Sequence, residues 1–188
     1  MDDVRVSKLL SRVLRHAPES VGIHLDRHGW VGVADLLDAL ARSGRPVGRA
    51  QLERVVAASD KQRFALDGDR IRANQGHSVA VDLGLQPVDP PELLYHGTPV
   101  RNLAAILEQG LHRGGRHHVH LSADTATAAR VGARRGRPAV LTVLAGRMAR
   151  DGHVFHRSAN GVWLTDAVPP AYLRPPEHPE PVPPGAGG

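Results

Sequence analysis

Residues 116–122 have the sequence Arg116-His117-His118-Val119-His120-Leu121-Ser122. Apolar Val119 and Leu121 alternate with histidines, and this alternation predicts a β-strand with one apolar and one polar face. Because side chains two residues apart on a strand point the same way, His118 and His120 share the polar face and the Ser122 hydroxyl lies beyond them. We expect this face to bind a metal ion, an anion or a reacting group.

The composition is that of a globular protein with one large or two small domains. The chain has 188 residues, of which 41% are apolar and 3% aromatic, so the core must be mainly aliphatic. No segment approaches the ~20 apolar residues of a membrane span, and the acidic N-terminus does not resemble a signal peptide. The absence of cysteine excludes disulfides and thiolate chemistry. We expect a cytoplasmic protein that does not bind membranes.

The basic residues are almost all arginine, and they indicate anionic ligands. The formal net charge is +5, and Lys8 and Lys61 are the lysines of the sequence. The planar guanidinium group suits phosphate, which favours phosphate or nucleic-acid ligands. A genomic base composition that enriches Arg, Ala, Gly and Pro would give the same bias, so charge alone leaves the ligand open.

The first 78 residues have the outline of a winged-helix module. Apolar residues at helical spacing predict a helix over 3–16 that ends before Pro18, with Arg15 and His16 at its exposed end. Further helices are predicted around 33–40 and 50–58, and hairpins over 23–31 and 64–71. Three helices followed by a wing are typical of nucleic-acid readers. The third helix is only mildly charged, however, and this favours a phosphate pocket over a groove reader.

A proline-rich linker over 79–91 separates this module from a second domain over 92–173. The second domain is predicted to contain strands at 93–95, 118–122 and 140–144, with helices around 103–107 and 124–132. The remaining segment, 174–188, is rich in proline and glycine and is expected to be a disordered tail. The fold class is therefore α+β.

Residues alone leave the role of the histidine strand open. His118 and His120 could share a zinc ion with a third histidine, although no carboxylate and no HExxH spacing accompany them. They could equally be solvated histidines of a structural strand. The tripeptide His96-Gly97-Thr98 would let backbone amides approach a flat polar ligand. Without GxGxxG or P-loop sequences, a dinucleotide would need a different kind of site.

Five short motifs in order give the sequence a family resemblance. They are Leu14-Arg15-His16, Asp60-Lys61-Gln62-Arg63-Phe64, Gln75-Gly76-His77-Ser78, His96-Gly97-Thr98 and the stretch 116–122 quoted above. Together they closely resemble the NAD-dependent RNA 2′-phosphotransferases over about residues 4–173. The resemblance implies an N-terminal winged-helix lobe, a C-terminal lobe with the ADP-ribosyltransferase fold, and an active site in the cleft between them.

The resemblance also implies a reaction. In this family the reaction is a step of RNA processing, including the processing of tRNA. An internal RNA 2′-phosphate attacks the nicotinamide-bearing ribose carbon of NAD⁺ and expels nicotinamide. The 2″-hydroxyl of that ribose then attacks the ADP-ribosylated 2′-phosphate. The products are RNA with a 2′-hydroxyl and ADP-ribose 1″,2″-cyclic phosphate. NAD⁺ is consumed, and no metal is implied.

By resemblance, the catalytic residues are Arg15, His16, Arg63 and Arg116, and these four bind the substrate phosphate together with Lys61. His16 would donate a proton to the departing RNA hydroxyl or position it, a role that His118 could partly share. Residues implied to bind NAD⁺ are His96, Gly97, Thr98, His118, His120 and Ser122.

The sequence argues against a protein-modifying ADP-ribosyltransferase. Such enzymes carry a glutamate on a late strand, but the corresponding stretch 161–165 has none. A phosphate acceptor, in contrast, needs no base to deprotonate it.

Two other functions remain open on the sequence. The enzyme could instead ADP-ribosylate terminal phosphates of RNA or DNA. A non-catalytic winged-helix regulator that senses NAD⁺ is a further alternative. No obligate protein partner is evident, and we expect a monomer.

Overall fold

The computed structural model describes residues 1–59 and 62–176. Lys61 and most of the predicted tail therefore lie outside the described residues. In the N-terminal part a short 3-10 helix, Pro18–Val21, follows the first α-helix. The helices and strands of this part are α1 (Asp3–Arg15), β1 (Val31–Gly32), α2 (Val33–Arg42), α3 (Arg49–Ala57), β2 (Phe64–Asp67) and β3 (Arg70–Ala73).

Burial of one face of helix α1 fixes the position of Arg15 at the end of this helix. Its N-terminus is capped by Asp2, whose carboxylate accepts the Arg5 backbone N–H at 2.8 Å. The side chains of Val6, Leu10, Val13 and Leu14 are fully buried, at the three- and four-residue spacing of an amphipathic helix. The helix ends at Arg15, so the prediction of a helix over 3–16 is confirmed.

One of the two predicted hairpins is confirmed and the other is wrong. Strands β2 and β3 pair antiparallel, with Asp67 opposite Arg70 across a tight turn. Residues 23–25, in contrast, do not pair with 30–31, because β1 pairs with β3 instead. In the intervening turn the Asp26 carboxylate accepts the backbone N–H groups of His28 and Trp30 at 2.8 and 2.9 Å. Those side-chain hydrogen bonds replace the ladder that a hairpin would have used.

The helices and strands of the C-terminal part are β4 (Leu94–Pro99), α4 (Leu103–Gln109), β5 (Leu111–His112), β6 (Val119–Leu121), α5 (Thr125–Gly132), β7 (Pro138–Val143), α6 (Ala145–Arg150), β8 (His156–Arg157), β9 (Trp163–Thr165), β10 (Ala167–Val168) and β11 (Leu173–Arg174). Its strands form small antiparallel sheets, with strand orders β11-β7-β4, β6-β9-β8 and β10-β5.

A backbone bridge joins two of these sheets at the histidine strand. The Tyr95 N–H donates to the Ser122 carbonyl oxygen at 2.9 Å, and the Ser122 N–H donates to the Tyr95 carbonyl oxygen at 2.8 Å. This bridge brings β4 beside β6, so His96 and His120 become neighbours although 24 residues separate them.

Buried apolar side chains of the described residues form one cluster between Val6 and Ala73 and another between Leu94 and Val168. The connector 79–91 is hydrogen-bonded to both parts. The Asp82 N–H donates to the Arg27 carbonyl oxygen at 2.7 Å, and the Val88 N–H donates to the Phe155 carbonyl oxygen at 2.9 Å. The α+β class is confirmed, whereas the winged-helix and ADP-ribosyltransferase assignments stay predictions.

Within residues 1–59 and 62–176, no helix has both the length and the apolar character needed to cross a bilayer.

Gly97 allows α5 to pack directly on β4. A Cβ atom built at Gly97 would overlap the Ala128 carbonyl oxygen and lie 2.9 Å from the Gly132 backbone nitrogen. Gly97→Ala must therefore push α5 off the strand, and we expect it to lower the free energy of unfolding by about 2–3 kcal/mol. Urea denaturation followed by circular dichroism measures this change. Gly115→Ala, where a Cβ meets no atom within 4 Å, is the control, and equal midpoints for the two variants would contradict the packing role.

Candidate active site

Three arginines from different parts of the chain lie close together. Arg15 ends α1, Arg63 precedes β2 and Arg116 precedes β6. The Arg15 Nη2 donates to the Arg63 carbonyl oxygen at 3.3 Å. Burial, together with the positive charges of Arg63 and Arg116, lowers the pKa of Arg15 to about 10. The charges of Arg63 and Arg116 therefore act on the Arg15 guanidinium.

No carboxylate of the described residues neutralises this cluster, since none of the three arginines takes part in an ion pair there. The pKa of Arg116 is also lowered, by burial and by the nearby charges of Arg135 and Arg134. The Arg15 Nε is buried and has no hydrogen-bond partner among the residues described. A site with this much uncompensated positive charge and an unused donor attracts a multiply charged anion.

His16 lies at the edge of the arginine cluster and is held there by Ser78. The His16 Nδ1 and the Ser78 Oγ are 2.9 Å apart. The Ser78 backbone N–H donates to the Arg15 carbonyl oxygen at 2.9 Å, so the segment after β3 is tied to the end of α1. Burial lowers the pKa of His16 below its ordinary value, and the charges of Arg15 and Arg116 act in the same direction. His16 is therefore mainly neutral at pH 7.

The histidine strand approaches the same cluster from the C-terminal part. The Arg116 Nη1 lies 3.2 Å from the His120 Nδ1, and the His96 Nδ1 lies 3.2 Å from the His120 carbonyl oxygen. Burial lowers the pKa of His120 to about 3, with a further contribution from Arg116. Burial also lowers the pKa of His96. Both imidazoles are neutral, so they can accept as well as donate hydrogen bonds.

Gly76 is the point where the two parts of the chain meet. A Cβ at Gly76 would lie 3.6 Å from the His120 Cε1 and 3.7 Å from the Arg15 Nη1, and the residue has φ +85°. The backbone conformation therefore favours glycine here, and the absence of a side chain keeps the space between Arg15 and His120 open.

A cavity of about 120 Å³ lies beside Gly76, lined by histidines and by the connector. His77, His117, His118, His120 and His156 line it together with Val81 and Leu83. His77 is 2% exposed, and burial is the main cause that lowers its pKa to about 4. Neither ring nitrogen of His77 has a hydrogen-bond partner among the described residues, and the same holds for the His156 Nδ1. The cavity wall thus has hydrogen-bonding capacity that the protein itself does not use.

The other predicted NAD⁺-binding residues occupy different surroundings. Thr98 is buried, and its Oγ1 accepts a long hydrogen bond of 3.5 Å from the Asn102 side chain. Gly97 faces α5, as described above, and Ser122 forms the backbone bridge to Tyr95. For these three residues the structure supplies a packing or backbone role, and binding of NAD⁺ stays a prediction.

His118 was predicted to share the polar face of the strand with His120, and both side chains line the cavity. The His118 ring packs edge-on against that of His156, with centroids 5.8 Å apart, and its Nε2 lies 4.0 Å from the Asp166 carboxylate. In the part of the chain that the structure describes, no three His, Asp or Glu side chains are arranged to hold a metal ion. The predicted phosphate ligand Lys61 lies outside that part.

No chemical role was assigned from the sequence to the motif Gln75-Gly76-His77-Ser78. In the structure Gly76 separates Arg15 from His120, His77 lines the cavity and Ser78 holds His16. The available signal was that these residues form one of the motifs of the family resemblance.

Comparisons with known proteins show the family of this chain. The model of the family "RNA 2′-phosphotransferase, Tpt1 / KptA family" matches residues 1–167. A Streptomyces griseus protein named probable RNA 2′-phosphotransferase is 60% identical over 179 residues, which cover 90% of this chain and 95% of the relative. Proteins of the same name from Agrobacterium fabrum and Nostoc punctiforme are 60% and 53% identical, over 89% and 91% of this chain and 91% and 96% of the relatives. The chain therefore belongs to the RNA 2′-phosphotransferase family.

Proposed function

We propose that this protein removes an internal 2′-phosphate from RNA by transferring it to NAD⁺. The products would be RNA with a 2′-hydroxyl, ADP-ribose 1″,2″-cyclic phosphate and nicotinamide. The observation that carries the proposal is the cluster of Arg15, Arg63 and Arg116, which has no carboxylate partner among the described residues.

The cluster suits a phosphate dianion better than a singly charged ligand. Arg15 keeps its positive charge at pH 7 even though its pKa is lowered to about 10. Each guanidinium can contact two phosphate oxygens at once, and mutual repulsion between the arginines is relieved only when negative charge enters. As charge builds on the phosphorus during transfer, the same groups stabilise the transition state.

The histidine-lined cavity beside Gly76 is where we expect one end of the second substrate, NAD⁺, to bind. The His77 and His120 side chains line this cavity, and neutral imidazoles can donate and accept hydrogen bonds to amides and hydroxyls. The lowered pKa values of these two histidines keep them neutral. Neutral side chains are required next to the positively charged nicotinamide ring. When bound, NAD⁺ supplies an electrophilic ribose carbon with a neutral leaving group.

His16 is placed to move the proton of the reaction. Phosphate transfer takes a proton from an attacking hydroxyl and returns one to the departing RNA 2′-oxygen. The His16 Nδ1 and the Ser78 Oγ are 2.9 Å apart, and the tautomer needed for proton transfer is the one whose Nδ1–H donates to this hydroxyl. The His16 Nε2 is then unprotonated and can accept the proton and release it again.

Arg116→Ala tests the phosphate site. The substrate is a short RNA with one internal 2′-phosphate, and nicotinamide release and phosphate loss are followed together with metal chelated. Loss of a guanidinium from the cluster should lower kcat/KM by about 100-fold or more. Arg42→Ala, at the end of α2 and away from the cluster, is the control and should retain wild-type activity.

Three outcomes of this assay would count against the proposal. Release of nicotinamide with persistent ADP-ribosylated RNA would favour modification of terminal phosphates. No turnover by the wild-type protein, with tight binding of duplex DNA, would favour the regulator. Phosphate loss without NAD⁺ would exclude transfer to this substrate.

The pH dependence of kcat tests His16. His16 acts in its neutral form, and its pKa is lowered from 6.5. The value of kcat should therefore be the same at pH 7 and pH 6.5, and it should fall as the pH is lowered below 6.5. In His16→Gln kcat should be low and this acidic limb absent, whereas His112→Gln, which changes an exposed histidine, should retain it. An acidic limb above pH 6.5, or one that persists in His16→Gln, would contradict the proton-transfer role.

A further inference from the structure

A second cavity, of about 590 Å³, forms a groove between α1 and α3. His16 and Arg63 line its inner end, and Ser7, Lys8, Ser11 and Arg12 line the length of α1. We propose that the RNA strand on one side of the 2′-phosphate lies in this groove, with its phosphodiester groups bound by Lys8 and Arg12. This inference rests on the proposed function and extends it to the path of the RNA.

The row of basic residues leads directly into the active site. Lys8, Arg12 and His16 are four residues apart, so they share one face of α1. Each step of four residues advances about 6 Å along a helix axis. The two cations therefore lie in line with His16, and the groove ends where the arginine cluster begins.

The charges of this groove are available for a ligand. Lys8 and Arg12 are exposed, and neither forms an ion pair with any residue that the structure describes. Other basic residues nearby are neutralised, as in the contact between Arg54 and Asp3 at 2.9 Å. The hydrogen bond from Arg54 is the largest cause that lowers the pKa of Asp3 to about 2, so the acidic residue at the outer end of the groove is already paired.

The lining indicates backbone recognition. Ser7 and Ser11 add hydroxyl groups to the two cations, and the described lining contains no phenylalanine, tyrosine or tryptophan on which a base could stack. A groove of this kind binds phosphates without regard to sequence.

Among the residues that the structure describes, the groove and the histidine cavity have no lining residue in common. His16 and Arg63 line the groove, whereas Gly76 and His120 line the cavity. RNA and NAD⁺ thus approach the reacting phosphate from separate openings, and neither has to leave before the other binds.

The test is the double variant Lys8→Ala/Arg12→Ala with two substrates. One is a dinucleotide with a 2′-phosphate, which is too short to reach Lys8. The other is a ten-nucleotide RNA with the same nucleotide at its centre. We expect kcat/KM to fall about 10-fold or more on the ten-nucleotide RNA and less than about 3-fold on the dinucleotide, whose single phosphodiester can reach Arg12 but not Lys8. The slope of log affinity against log salt should become shallower by about 1.4, the value for two phosphate contacts on a single strand.

Arg42→Ala/Arg45→Ala removes the same charge from the end of α2 and should leave both substrates unaffected. The groove proposal is overturned if the Lys8/Arg12 variant loses both substrates equally, or if it matches the control on the ten-nucleotide RNA. Failure of the proposed function would look different, because the wild-type protein would then leave the 2′-phosphate on both substrates.

Discussion

The site depends on a repulsive arrangement, in which Arg15, Arg63 and Arg116 are held close together without a carboxylate among the described residues. Such an arrangement persists only if the backbone fixes it. The buried face of α1 fixes Arg15, the β2–β3 hairpin fixes the segment that begins at Arg63, and the bridge between Tyr95 and Ser122 fixes the strand that follows Arg116. Packing of the two apolar clusters thus keeps the three guanidinium groups close together. In the proposed reaction, a bound phosphate dianion would relieve the repulsion between them.

The segment after β3 joins the two parts of the chain around this space. Ser78 is hydrogen-bonded to the end of α1, Gly76 lies between Arg15 and His120, and the connector then lines the histidine cavity. The neutral histidines on one side and the cationic row on α1 on the other give the two openings different chemistry. The two substrates of the proposed reaction differ in charge in the same way, one with a positively charged nicotinamide ring and the other a polyanion.

Helices, strands and turns that depend only on neighbouring residues could be predicted from the sequence. Helix α1 and its end follow from apolar spacing and Pro18, and the β2–β3 hairpin follows from its turn residues. Pairings between distant segments could not be predicted, since nothing local to β1 specifies β3 as its partner or Tyr95 as the partner of Ser122. The role of Gly97 was missed because it depends on a helix that begins 28 residues later. The arginines of the site came from the family resemblance, and periodicity gave no sign that they converge.

Calorimetric titration with two dinucleotides that differ only in the 2′-phosphate tests the central claim most directly. If the three arginines form one phosphate site, the 2′-phosphorylated dinucleotide should bind about 100-fold more tightly than its 2′-hydroxyl counterpart, a difference of about 2.7 kcal/mol. Equal affinities for the two dinucleotides would show that the arginine cluster does not bind the 2′-phosphate and would contradict the account.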